Sequence, residues 1–210
     1  MEEAATAVVR FLYDNLDDGA GRRACALVRF YKTHLMGSLP PDLAEFARAT
    51  AGAEVTPQTR CLTLLATVGD EPEWNDRRLS RGHRAIPLQS AEAIHRMPMI
   101  LQLVQQLGFD PKHVAAPNTE LLVDTTERTF NVFYVPQALG SPYIPAQDFV
   151  EKHGIASVLG FGGLLPPGEL FAVILFSREP IAADTAELFK PLSLSARMAV
   201  LPFSGGSIFS

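Results

Sequence analysis

Cysteine is scarce in this chain, positive charge is not in surplus, and no long apolar run occurs. Each shortage removes a class of function. Cys25 and Cys61 are the only 2 cysteines in 210 residues, too few for a disulfide framework. Lys and Arg number 18 against 23 Asp and Glu, a net charge of -5. An extended nucleic-acid surface needs a cationic patch, so that class is not expected. The longest apolar stretches, such as Phe171 to Phe176, fall far short of the ~20 residues of a membrane span. Met1-Glu2-Glu3 is the wrong charge for a secretory leader. The expectation is a soluble cytoplasmic protein.

What is there is an ordinary globular composition, 47% hydrophobic and 20% charged. No internal repeat and no linker divides it. The reading is one domain over residues 1–203, followed by a flexible small-residue tail at 204–210.

Ala5, Val8, Val9, Leu12 and Leu16 recur at helical spacing and predict an amphipathic opening helix, ended by the 17–21 Asp/Gly cluster. Ala24 to Tyr31 and Arg60 to Val68 read as strands, with a short helix from Pro40-Pro41-Asp42 between them. Ser90 is a good N-cap for a helix ended by Gly108, and Pro98 inside it predicts a kink or two short helices. Residues 110–118 read as loop, and Thr129 to Val135 as a strand. Pro145 to His153 predicts a helix closed by Gly154. Ile155 to Phe161 and Leu170 to Ser177 predict strands joined through Gly162 to Gly168. Asp184 to Leu201 predicts a long last helix, with Pro191 as an irregularity. This order suits α+β, an antiparallel sheet covered by helices.

The stretch Gly154-Ile155-Ala156-Ser157-Val158-Leu159, a glycine-containing turn, Glu169 to Phe176 and then a helix resembles the closing part of a GAF domain. The opening helix and the strands at Ala24 and Arg60 fit the same order. Residues 74–88 followed by 134–203 also resemble a sensory segment that precedes histidine-kinase modules in bacterial signalling proteins. The resemblance implies a GAF-like, PAS-related (profilin-like) antiparallel sheet of about six strands with helices on its faces. It further implies a small-molecule pocket on one face and terminal helices that mediate a homodimer. The cyclic-nucleotide motif and the Asp-centred bilin motif of the family are missing, and no kinase nucleotide-binding glycine box occurs. Any kinase module would lie outside this chain, and the ligand stays unknown.

The polar heart is Glu73 to Arg84, EWNDRRLSRGHR, which holds the single tryptophan. Trp74, Arg77, Arg78, His83 and Arg84 are candidate ligand-binding residues. A guanidinium fork suits carboxylate or phosphate, and an indole stacks on rings or cations. The bland alternative is a surface loop whose arginines pair with the acidic excess. Tyr134, Tyr143 and Phe149 flank a loop placed to cap a pocket, or else belong to the core. The 5 histidines lack metal-ligand spacing, so no metal site is expected. Gly160 to Gly163 is not a phosphate loop, and Ser141 and Ser157 sit in no nucleophile elbow. The favoured reading is a non-enzymatic sensory domain. Its rivals are a GAF-fold thiol reductase, similar to free methionine sulfoxide reductase and using Cys25 and Cys61, and a ligand-free dimerisation scaffold.

Overall fold

The computed structural model describes residues 1–52, 54–116, 131–204 and 208–209. Helix α1 (Glu2–Asn15) leads into β1 (Cys25–Leu35), α2 (Pro41–Thr50), β2 (Arg60–Gly69) and β3 (Ala85–Leu88). Three short helices follow, α3 (Ala91–His95), α4 (Pro98–Gln106) and α5 (Pro111–Ala115). Then come β4 (Val132–Val135), α6 (Gln147–His153), β5 (Ser157–Leu165) and β6 (Glu169–Ser177). The chain closes with α7 (Ala183–Glu187) and α8 (Lys190–Val200). Six strands form one sheet in the order β3-β2-β1-β6-β5-β4, and every pairing is antiparallel. The fold is α+β, as the element order implied.

The sheet has two unlike faces. On one, α1 and α8 pack on the strands and on each other. Ala5, Val9 and Leu12 of α1 and Ala196 and Val200 of α8 meet Val28, Phe30, Leu65, Val173 and Leu175. Full burial of one Val or Leu contributes about 1.5–3 kcal/mol, so this layer fixes both terminal helices firmly. On the other face, α3, α4, α5 and α6 enclose a second core around Leu62, Leu103, Phe133 and Ile174. The second core does not close over the whole face, and a cavity remains.

Local signals explain most of the elements. Ser90 caps α3 by accepting from the Ala93 N–H at 3.2 Å, and Pro98 starts a new helix rather than bending an old one. Gly154 closes α6 at φ +63°, a conformation that glycine adopts without a Cβ penalty. Other expectations need correction. Residues 110–116 are not plain loop: the Asp110 carboxylate accepts from the Lys112 N–H at 2.8 Å and caps α5. The last helix is two helices, with Pro191 in the first turn of α8. Gly162 and Gly163 belong to β5 rather than to the turn. A Cβ on Gly162 would run into the Phe171 carbonyl oxygen of β6, so glycine there permits a close strand approach. The strand expected from Thr129 begins, among the described residues, at Val132, and residues 129–130 lie outside them. Of the expected tail, Ile208 accepts from the Glu2 N–H at 3.2 Å, and the Phe209 ring lies 5.1 Å from His34.

Candidate functional site

Strand alternation turns Leu27, Arg29 and Tyr31 of β1 toward the open face, beside Leu62 of β2 and Ile174 and Phe176 of β6. Together with residues from α4, α6 and the segment between β2 and β3, they enclose a cavity of about 660 Å³. That is within the size range of small-molecule sites. Most of the wall is apolar. Its charged residues are three arginines, Arg29, Arg81 and Arg96, against one acid, Glu73. Glu73 is engaged by Arg81 at 3.1 Å. His83 joins this wall in a left-handed backbone conformation, φ +59°. Burial, and then the Arg29 charge, hold His83 below the usual histidine range.

The segment from Asp70 to Arg84 crosses the sheet edge beyond the short pairing of β2 with β3, and we call it the strap. Its turn is held by Asn75, whose side-chain amide donates to the Gly69 carbonyl at 2.8 Å and to the Glu71 carbonyl at 3.0 Å. Trp74 packs over Gly69, where a Cβ would lie 2.7 Å from the indole. The same indole meets Phe149 at 5.7 Å and His153 at 4.6 Å. One side of the strap therefore lines the cavity with Glu73, Trp74, Arg81, Gly82 and His83.

Its other side holds both ends of α1. Arg77 is buried and donates twice to the Glu2 carboxylate, at 2.7 and 3.1 Å. The Tyr13 hydroxyl donates to Asp70 at 2.5 Å, and Arg178 pairs with the other oxygen of Asp70. Burial raises the Asp70 carboxyl, but the hydrogen bonds from Tyr13 and Arg178 outweigh it and keep the group below the usual carboxylate range. Burial, then the bond to Asp70, pushes the Tyr13 phenol up to about 12. Both ends of the clamp are thus anionic acceptors facing committed donors.

Of the seven candidate residues, Trp74 and His83 meet in the cavity wall. Arg77 serves α1 and lies over the Phe209 ring at 5.1 Å. Arg84 pairs with Asp42 at 2.5 Å and lies over Phe46. Arg78 is exposed, and its backbone N–H donates to Asp76 at 2.8 Å. Tyr134 is bound to the α4 side chain of Gln106 at its backbone and donates its hydroxyl to the Ile181 carbonyl. Tyr143 is exposed and not part of the wall. Arg29, Arg81 and Arg96 are the wall's cations. Arg81 lies in the polar segment that the sequence marks as a possible anion-binding wall, whereas Arg29 and Arg96 lie outside it and were not singled out. For Arg29 a signal existed: it alternates with Leu27 and Tyr31 on a strand whose neighbours are apolar, which forecasts a buried charge.

The two cysteines do not meet. Cys61 pairs in register with His34, nine residues along β1 from Cys25. At about 3.3 Å per residue that separation is roughly 30 Å, far beyond disulfide reach. Burial pushes the Cys25 thiol up to about 12 and Cys61 up to about 11, the reverse of an activated thiolate. Among the described residues no group of three or more His, Cys, Asp or Glu is placed to hold a metal ion, and no helix is long and apolar enough to cross a membrane.

No family model matches the chain, and no curated protein matches it. Among solved structures it is similar to the phycoerythrobilin-bound GAF domain from a cyanobacterial phytochrome, at 12% identity over 96% of this chain and 84% of that one, TM-score 0.41. The phycocyanobilin-bound GAF domain from a cyanobacterial phytochrome gives 12% identity over 95% and 82%, with the same TM-score of 0.41. At this level neither neighbour's chromophore carries over to the present cavity.

Proposed function

We propose that this chain is a non-enzymatic, GAF-like sensory domain of a bacterial signalling protein. A small molecule occupies the cavity on the open face. Its presence is felt by the terminal helices on the opposite face, which form a homodimer and act on a kinase module outside this chain. One observation carries the reading: a single strap lines the cavity with Trp74 and His83 and holds α1 at both ends through Arg77 and Asp70. A ligand that contacts one arrangement of the strap better than another shifts the population of the α1 contacts, and only that difference in affinity can drive the signal. Phe11 on α1 and Leu194 and Met198, one turn apart on α8, are apolar and exposed, which suits a dimer surface.

A thiol reductase is disfavoured by the separated, buried cysteines. A pure scaffold is disfavoured by a cavity of about 660 Å³ that no side chain of the described residues fills. The test is native against denaturing mass spectrometry of the purified protein, with its absorption spectrum, alongside Gly82→Phe. Gly82 lies in the wall, and a Cβ there meets nothing within 4 Å, so the substitution starts from open space at the cavity rim. A non-covalent adduct on the parent protein that is lost from Gly82→Phe supports the reading. An adduct of equal occupancy on both proteins would place the ligand elsewhere and overturn it.

A further inference from the structure

We propose that the ligand of this cavity is a monoanionic amphiphile, a carboxylate with an apolar body, and that Arg29 receives the carboxylate. The inference rests on the cavity being a ligand site and adds the chemical class of what enters it. Among the described residues three cationic side chains are buried, Arg29, Lys32 and Arg77. Lys32 pairs with Glu169 and Arg77 with Glu2. Arg29 is 9% exposed and has no carboxylate within salt-bridge distance among the described residues. Its guanidinium donates to the neutral hydroxyls of Tyr31 at 3.2 Å and Ser80 at 3.0 Å, and its Nε is buried without a partner. Ser80 in turn donates to the Gly82 carbonyl, so its hydroxyl proton is already committed.

A guanidinium withdrawn from water without a counter-ion is heavily penalised, and the described residues supply no counter-ion here. An entering carboxylate would supply one, through the charge-assisted hydrogen bonds that a guanidinium offers. Arg81 and Arg96 at the same wall add favourable potential, whereas a cationic ligand would meet three arginines against one glutamate. Away from Arg29 the wall is Leu62, Ile86, Met99, Ile174 and Phe176, which offers a tail apolar contact and no hydrogen bonds. Arg29 is the one buried cation without a carboxylate partner among the described residues, and one negative charge matches it.

The test uses three probes with one tail and three heads: sodium decanoate, 1-decanol and decylamine. Trp74 is the only tryptophan and stands in the wall, so its fluorescence reports occupancy directly. The expected order is decanoate tightest, by about 10- to 100-fold over decanol, the range of a charge-assisted hydrogen bond, with decylamine weakest. Arg29→Met should abolish the decanoate advantage and leave decanol binding in place. Arg29→Lys, which keeps the charge but not the fork, should retain part of it. Because Arg29→Met removes an uncompensated buried charge, the ligand-free variant should melt at or above the parent temperature, whereas a merely structural arginine would lower it. Equal binding of decanoate and decanol by the parent protein would overturn the carboxylate assignment while the cavity stood as an apolar ligand site. Failure of all three probes to change Trp74 emission would overturn both.

Discussion

Replacing Arg77 by methionine tests whether the strap holds α1. The two side chains of the Arg77–Glu2 pair are 5% and 15% exposed, and the pair is bidentate. Breaking a buried pair by removing one partner typically costs about 3–5 kcal/mol. Two features of this site reduce that. Glu2 stands in the first turn of α1, where the helix N-terminus favours its charge by about 0.3–1 kcal/mol. Methionine also keeps most of the apolar stem, although it loses the guanidinium that lies over the Phe209 ring. The net loss should be about 2 kcal/mol, or roughly 4–8 °C in melting temperature for a chain of this size. Urea unfolding of the parent, Arg77→Met, Glu2→Gln and the double variant closes a cycle, and the coupling between the two side chains should be about 1–2 kcal/mol. Amide exchange along α1 should quicken in Arg77→Met. A coupling within about 0.3 kcal/mol of zero, with α1 exchange unchanged, would refute the clamp.

Three other outcomes follow from the same structure. Burial, then the Lys32 charge, push His34 down to about 3, with the Lys32 backbone opposing and Arg60 adding a smaller push, and neither ring nitrogen has a side-chain partner in hydrogen-bonding geometry. Between pH 6.5 and 3 the unfolded chain binds this proton and the folded one does not, so stability falls as pH falls, by about 2 kcal/mol at pH 5. His34→Leu should remove that part of the difference between urea unfolding at pH 7 and pH 5, and an equal loss in both proteins would contradict it. Gly162→Ala should lose at least about 2 kcal/mol in the same assay, because its Cβ meets the Phe171 carbonyl on the paired strand rather than a movable side chain. Leu194→Glu with Met198→Glu should weaken self-association about tenfold or more by analytical ultracentrifugation, and an unchanged dimer would remove α8 from the interface.

How far the sequence carries this structure depends on whether a signal is local. The spacing of Ala5, Val9 and Leu12, the Ser90 cap, the Pro98 break and the Gly154 stop all act within a turn or two, and each element lies where they put it. Signals that depend on a distant partner were misread or shortened. Lys32, Thr33 and His34 look too polar to extend β1, yet the strand runs to Leu35 because Glu169 pairs with Lys32 and Thr33 bonds the Leu170 backbone. The Gly162-Gly163 pair reads as a turn, and its strand role depends on Phe171 across the ladder. The polar segment around Trp74 was legible as the place to look. Its division into a cavity side and a helix side was not, because Arg77 and Arg81, four residues apart, serve opposite sides only once the strap is folded over the sheet. Arg29, hidden in an apolar strand, is the residue that most changes the chemistry of the site.

The central claim is that occupancy of the cavity on one face of the sheet is felt by α1 on the other. Hydrogen exchange read by mass spectrometry on the peptide covering Glu2–Asn15, with and without saturating decanoate, tests it most directly. The account predicts a change in α1 exchange on loading that disappears in Arg77→Met. Exchange that changes only in the cavity walls, with α1 the same loaded and empty, would contradict it.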